Sequence, residues 1–169
     1  MTDKLEFKLI DPAQKGEKWA DDEMFVRKDL RAVEIYLNGR EIIDILKEIE
    51  MPFAIEEGHP DIAGGYGHNE PKILYRDLSE SLVEGTYNQK YGVELLCCGS
   101  CGFSGCWSAV AYVRRDNDFV YWENFKQNHR ENWKYDLSYK FDATEYEKQM
   151  EKLKKFTEES GEWVFKKVQ

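Results

Sequence analysis

The stretch 93–125 restricts the fold most. It runs VELLCC, a glycine-rich turn GSCGFSG, CWSAVAYVRR, a turn at Asp116-Asn117, and DFVYWENF. Short apolar runs divided by tight turns predict a meander of three antiparallel strands. The central run, 106–115, is apolar on successive positions until its arginines. A strand of that kind needs cover on both faces of its sheet.

Other segments add to this frame. Residues 5–10 (LEFKLI) and 32–37 (AVEIYL) alternate apolar and polar positions, as half-buried strands do. Asn38-Gly39 then makes a turn. Ile42, Ile45, Leu46 and Ile49 follow at helical spacing, so the spacing predicts strand, turn and helix, with the helix ending before Pro52. Asp142-Ala-Thr-Glu145 reads as a capping box opening a helix over 143–159, lined by Tyr146, Met150, Leu153 and Phe156 and ended by Gly161. Trp163, Val164, Phe165 and Val168 predict a last strand. Residues 1–31 read as an N-terminal strand and a connection. Residues 51–92 hold Pro52, Pro60 and Pro71 with several glycines, and read as an irregular, loop-rich segment. Within it, 73–75 suits a short strand and 77–85 one or two helical turns capped by Asp77 or Ser79. Strands and helices are segregated, so the expected class is α+β: one antiparallel sheet of five or six strands with two main helices packed on it, in a single domain over 1–169.

Charge limits the partners. The chain carries 24 Lys+Arg against 33 Asp+Glu, a net charge of −9. Double-stranded nucleic acid is not expected, because phosphate binding needs clustered cations. A basic protein partner would suit the charge better. Glu41, Asp44, Glu48, Glu50, Glu56, Glu57, Asp61 and Glu70 concentrate the acid over 41–70, against Lys47 alone. No run approaches the ~20 apolar residues that span a bilayer, so no membrane association is expected. The opening residues lack a secretory pattern, and a cytoplasmic protein is the expectation.

The cysteines are Cys97, Cys98, Cys101 and Cys106, all within one short stretch. A disulfide scaffold would spread them to close long loops, so clustering points to free thiols or a metal. Cys98-Gly-Ser-Cys101-Gly has the form of a zinc knuckle, in which two thiolates grip one ion across a glycine-permitted turn. Cys106 could supply a third ligand and His129 or His68 a fourth. Cys97 and Cys98 must face opposite sides of their strand, so only one joins such a site. The competing reading is a hairpin whose small cysteines simply pack in the core.

A second constellation is Trp122, Phe125, His129, Arg130, Trp133 and Tyr135. Aromatics beside a His and an Arg can stack on a base, grip a phosphate or line a peptide groove. Trp122, His129, Arg130 and Trp133, with Tyr66 from the glycine-rich stretch 63–68, are the candidate ligand-binding residues. The alternative is that the aromatics are core and the His-Arg pair closes a turn. There is no G-x-S-x-G, H-E-x-x-H, EF-hand loop or phosphate-binding glycine motif, and no catalytic residue is assigned.

Several of these stretches resemble a family of small bacterial proteins. The resemblance rests on VEIYLNGREIIDIL, Ala63-Gly-Gly-Tyr66, LLCCGSCGFSGCW and VYWENFKQNHRENWKYDLSYKFD. Its signature is a C-G-x-C-G…G-C-W hairpin followed by a W-x2-F…H-R-x2-W segment, and it covers most of 32–150. Asn128 stands where that family carries proline. The resemblance implies a single-domain bacterial cytosolic protein and brings no activity. The negative charge, the missing catalytic motifs and the aromatic-basic segment make a non-enzymatic binding or interaction protein of the bacterial cytosol the expected role. The alternative is a zinc- or thiol-dependent protein built on Cys98, Cys101, Cys106 and His129.

Overall fold

The computed structural model describes residues 1–17, 25–27, 30–75, 81–86, 92–161 and 163–165. The chain is α+β, with antiparallel sheets and two main helices. Its strands divide between sheets instead of sharing one.

The first sheet has three strands. β1 (Leu5–Ile10) pairs with β3 (Ala32–Leu37), and β3 pairs with the two-residue β4 (Arg40–Glu41). Asn38 and Gly39 lie at φ 52° and 81°, which is the left-handed geometry of a two-residue hairpin. The turn therefore closes a hairpin and leads straight into α1 (Ile42–Glu56). Glu41 caps that helix by accepting the Ile43 N–H at 2.9 Å. Contrary to expectation, α1 runs through Pro52. Proline removes the bond to the carbonyl four residues back, and Pro52 lies on the exposed face of the helix, where that loss is tolerated.

The second sheet orders as β5 (Tyr66–His68), β6 (Val93–Cys98), β7 (Ala109–Arg115), β8 (Phe119–Gln127) and β9 (Tyr139–Asp142). The expected meander is β6–β8. Sequence reading missed both flanking strands, and β5 comes from the stretch read as loop. Residues 71–74 form a helical turn, α2 (Pro71–Leu74), where a strand was expected at 73–75. Ser81 and Gly85 bridge a tight turn in place of the helical turns expected over 77–85, whose residues 76–80 lie outside the described ones.

Asp142 closes β9 and caps α3 (Ala143–Glu159), its Oδ1 accepting the Glu145 N–H at 3.0 Å, as the capping box predicts. Tyr146, Met150 and Leu153 are its buried stripe. The last strand, β10 (Trp163–Phe165), pairs with β2 (Phe25–Arg27), so the N-terminal connection contains a strand. Val168 and residues 18–24 before β2 lie outside the described residues.

One continuous core joins these parts. Phe7 and Ile35 of the first sheet, Leu95, Val113 and Trp122 of the second, Leu46 of α1 and Met150 of α3 all belong to it. The sheets also meet through the backbone, where the Val33 N–H donates to the Asn69 carbonyl at 2.9 Å. Among the described residues, no helix is long and apolar enough to cross a membrane.

Candidate metal centre

The site forms where β6 turns back into β7. The Sγ atoms of Cys98, Cys101 and Cys106 all lie within 4.8 Å of one another. Sulfurs bound to one tetrahedral zinc at ~2.3 Å stand ~3.8 Å apart, so small side-chain rotations suffice to close the set on an ion. Cys98 is buried at the end of β6, while Cys101 and Cys106 are exposed. All four cysteines are free thiols. Strand alternation sends Cys97 to the opposite face, against Ile10, Leu30 and Ala32, where its thiol donates to the His68 carbonyl at 3.6 Å. Burial drives the Cys97 thiol far up, so it stays protonated.

Glycines shape the turn. A Cβ on Gly99 would stand 2.9 Å from the Gly65 carbonyl oxygen, so only glycine lets the end of β6 lie against the start of β5. Gly102, at φ 73°, turns its N–H back to the Cys98 carbonyl at 2.9 Å and closes the loop over Cys98 and Cys101. The loop then favours charge on one sulfur. Burial alone would push the Cys98 thiol up. The N–H groups of Cys101 and Ser100 and the thiols of Cys101 and Cys106 outweigh it, and the net shift is downward. Cys106 moves the other way, to about 11, because its hydrogen bonds to Cys101 and Cys98 and the charge on Cys98 hold its proton. The arrangement favours charge on one sulfur, with two further thiols around it.

The aromatic-basic segment turns out to be the wall of this loop. Asn128 accepts the Ser108 N–H on Oδ1 at 2.9 Å and donates from Nδ2 to the Gly105 carbonyl at 2.8 Å. His129 Nε2 donates to the same carbonyl at 3.1 Å. The Arg130 guanidinium lies 5.1 Å from the centre of the Trp107 ring, one residue beyond Cys106. Asn128 was not a candidate from sequence. These bonds cross to a distant turn and belong to no local motif, which is why the sequence hides them.

The five candidate ligand-binding residues divide between the core and contacts within the fold. Trp122 is 0% exposed; its ring packs edge-on to Phe141 at 5.3 Å and its Nε1 donates to the Tyr146 hydroxyl at 3.2 Å. On β8 it alternates to the core side, away from the surface where the sequence places a ligand. Trp133 is 2% exposed and donates from Nε1 to Glu57 Oε1 at 2.9 Å. Arg130 Nε donates to both oxygens of the same carboxylate at 3.1 Å. Tyr66 is buried, and its hydroxyl donates to Glu50 Oε2 at 2.5 Å alongside that of Tyr135. His129 is exposed but is not a member of the cysteine cluster, so its expected place as fourth ligand is not taken up. His68 is further still from that role, bonded on its two ring nitrogens to Glu17 and Glu41.

Glu50 was also missed. It sits within the apolar stripe of α1, fully buried, with Tyr66 and Tyr135 on one oxygen and the Gly64 N–H on the other at 2.8 Å. Burial pushes its carboxyl up, and the three donors hold it down in part. No protein-family model, curated protein or solved structure matches this chain at a significant level.

Proposed function

We propose that the protein holds one thiophilic metal ion, of the zinc class, through Cys98, Cys101 and Cys106. The single observation that carries this reading is the convergence of three sulfurs within 4.8 Å at a glycine-shaped turn. Thiolate donors select zinc and other soft ions over magnesium or calcium. The hydrogen bonds that favour charge on Cys98 ease loss of its proton to an incoming ion. Binding releases the remaining thiol protons and converts three mutually close sulfurs into a stable centre.

This reading is preferred to a ligand-binding role for the aromatic-basic segment. Trp122, Trp133, Arg130 and Tyr66 are spent on contacts inside the fold. The segment's geometry suits a support for the cysteine loop.

Elemental analysis of protein purified without chelator tests the proposal. About one zinc per chain is expected, lost in Cys101→Ser and Cys106→Ser with the fold retained by circular dichroism. Metal-free protein that also fails to take up added zinc overturns it.

A further inference from the structure

Among the described residues, the centre is short of one ligand of the histidine, cysteine or carboxylate kind. Residues 99–105, between the cysteines, carry no further side chain of the metal-binding kind except the hydroxyls of Ser100 and Ser104. Ser104 donates its hydroxyl to Glu94, and Ser108 donates to the other oxygen of that carboxylate at 3.1 Å. Glu94, which the register shift in β6 sets on the Cys97 face, is thereby tied down. His129 is held on the Gly105 carbonyl, and Cys97 faces away. Among the described residues, no histidine or carboxylate joins the three sulfurs within 4.8 Å.

The free side of the trio faces water. Cys101 and Cys106 are exposed, and Phe103 at the loop tip is 72% exposed, so among the described residues the cluster lies open on that side. Closed four-ligand sets mark structural zinc, whereas three protein ligands leave a position for an outside group.

We infer that this centre, if it binds metal as proposed above, keeps its fourth coordination position open to a small neutral donor from solution. Three thiolates on a divalent ion leave a net charge of −1, and the chain already carries −9. A neutral donor such as water or an imidazole adds no further charge, while an anion would meet repulsion. The centre is then an accessible one, able to exchange its outer ligand, and not a buried staple.

Cobalt(II) is the probe, because its visible ligand-field bands report tetrahedral coordination and donor type. Loading the chelator-treated protein with one equivalent of cobalt(II) should give tetrahedral bands, which shift saturably on titration with imidazole. His129→Ala should give the same starting spectrum and the same shift. Bands that form but do not move with imidazole mean a closed site and overturn this inference alone. A changed starting spectrum in His129→Ala makes that ring the fourth ligand and overturns it too. Absence of tetrahedral bands overturns the metal reading and this inference with it.

Discussion

Asn128 and Ser108 hydrogen-bond in both directions. The Ser108 N–H donates to Asn128 Oδ1 at 2.9 Å, and the Asn128 N–H donates to the Ser108 carbonyl at 3.1 Å. The spare amide of Asn128 reaches the Gly105 carbonyl. One residue on the turn after β8 thus fixes the backbone on either side of Cys106. Groups that orient metal ligands from behind commonly change affinity 10- to 100-fold when removed. Asn128→Ala should lower zinc affinity about tenfold at least in competition with a chromophoric chelator. An unchanged affinity would leave Asn128 with a folding role only.

Glu57 joins the end of α1 to the segment after β8. It accepts from Arg130 through both oxygens and from Trp133 through one. Both charged partners retain some exposure, which weakens the ion pair by solvent screening. The bond from the buried Trp133 indole is the more costly one to lose. Glu57→Ala should destabilise the protein by about 1–3 kcal/mol in urea unfolding. Arg130→Ala should lose less, and the double variant should be less destabilised than the sum of the two. Additive losses would mean the residues act independently.

Trp107 and Trp133 pack edge to face at 5.9 Å, yet their N–H groups have opposite fates. Trp133 has Glu57, while the buried Nε1 of Trp107 has no hydrogen-bond partner among the described residues. Exchange for phenylalanine therefore separates polar from packing effects. Trp107→Phe removes an unsatisfied donor and should be nearly neutral, whereas Trp133→Phe strips a donor from Glu57 and should cost about 1–3 kcal/mol. Equal losses in thermal unfolding would put the whole effect on ring volume.

Local pattern revealed the elements whose signals are local. The β6–β8 meander, the Asp142-capped α3 and the strand-turn-helix unit around Asn38-Gly39 all depend on periodicity and turn chemistry within a few residues. Sheet membership does not. Whether 5–10 and 32–37 join the meander or pair apart is decided by contacts across the chain, such as Val33 on Asn69. The three-residue β5 is an edge strand made from a glycine-rich stretch, and nothing in its residues marks it until Cys98 lies opposite Tyr66. The site divides in the same way. The approach of Cys98 to Cys101 was legible because their spacing is short. The support from Asn128 was not, because it acts across 20 residues through backbone groups that have no sequence signature.

His68 gives the fold a dependence on pH that is separate from the cysteines. Its Nε2 lies 2.9 Å from Glu41 and its Nδ1 on Glu17, and the Cys97 thiol donates to its backbone carbonyl. Burial opposes a charged ring here. The two carboxylates outweigh it and raise the imidazole from 6.5 to about 9. A raised value means the folded protein holds this proton more tightly than the unfolded chain. The stabilisation is complete below pH 6.5 and is lost as pH rises through about 9. At ~1.4 kcal/mol per tenfold in proton affinity, the contribution is about 3 kcal/mol at most. Urea unfolding between pH 6 and 10 should show stability falling across this window, and His68→Gln should flatten that slope while lowering stability at pH 6. A wild-type slope that survives in His68→Gln would assign it to another group.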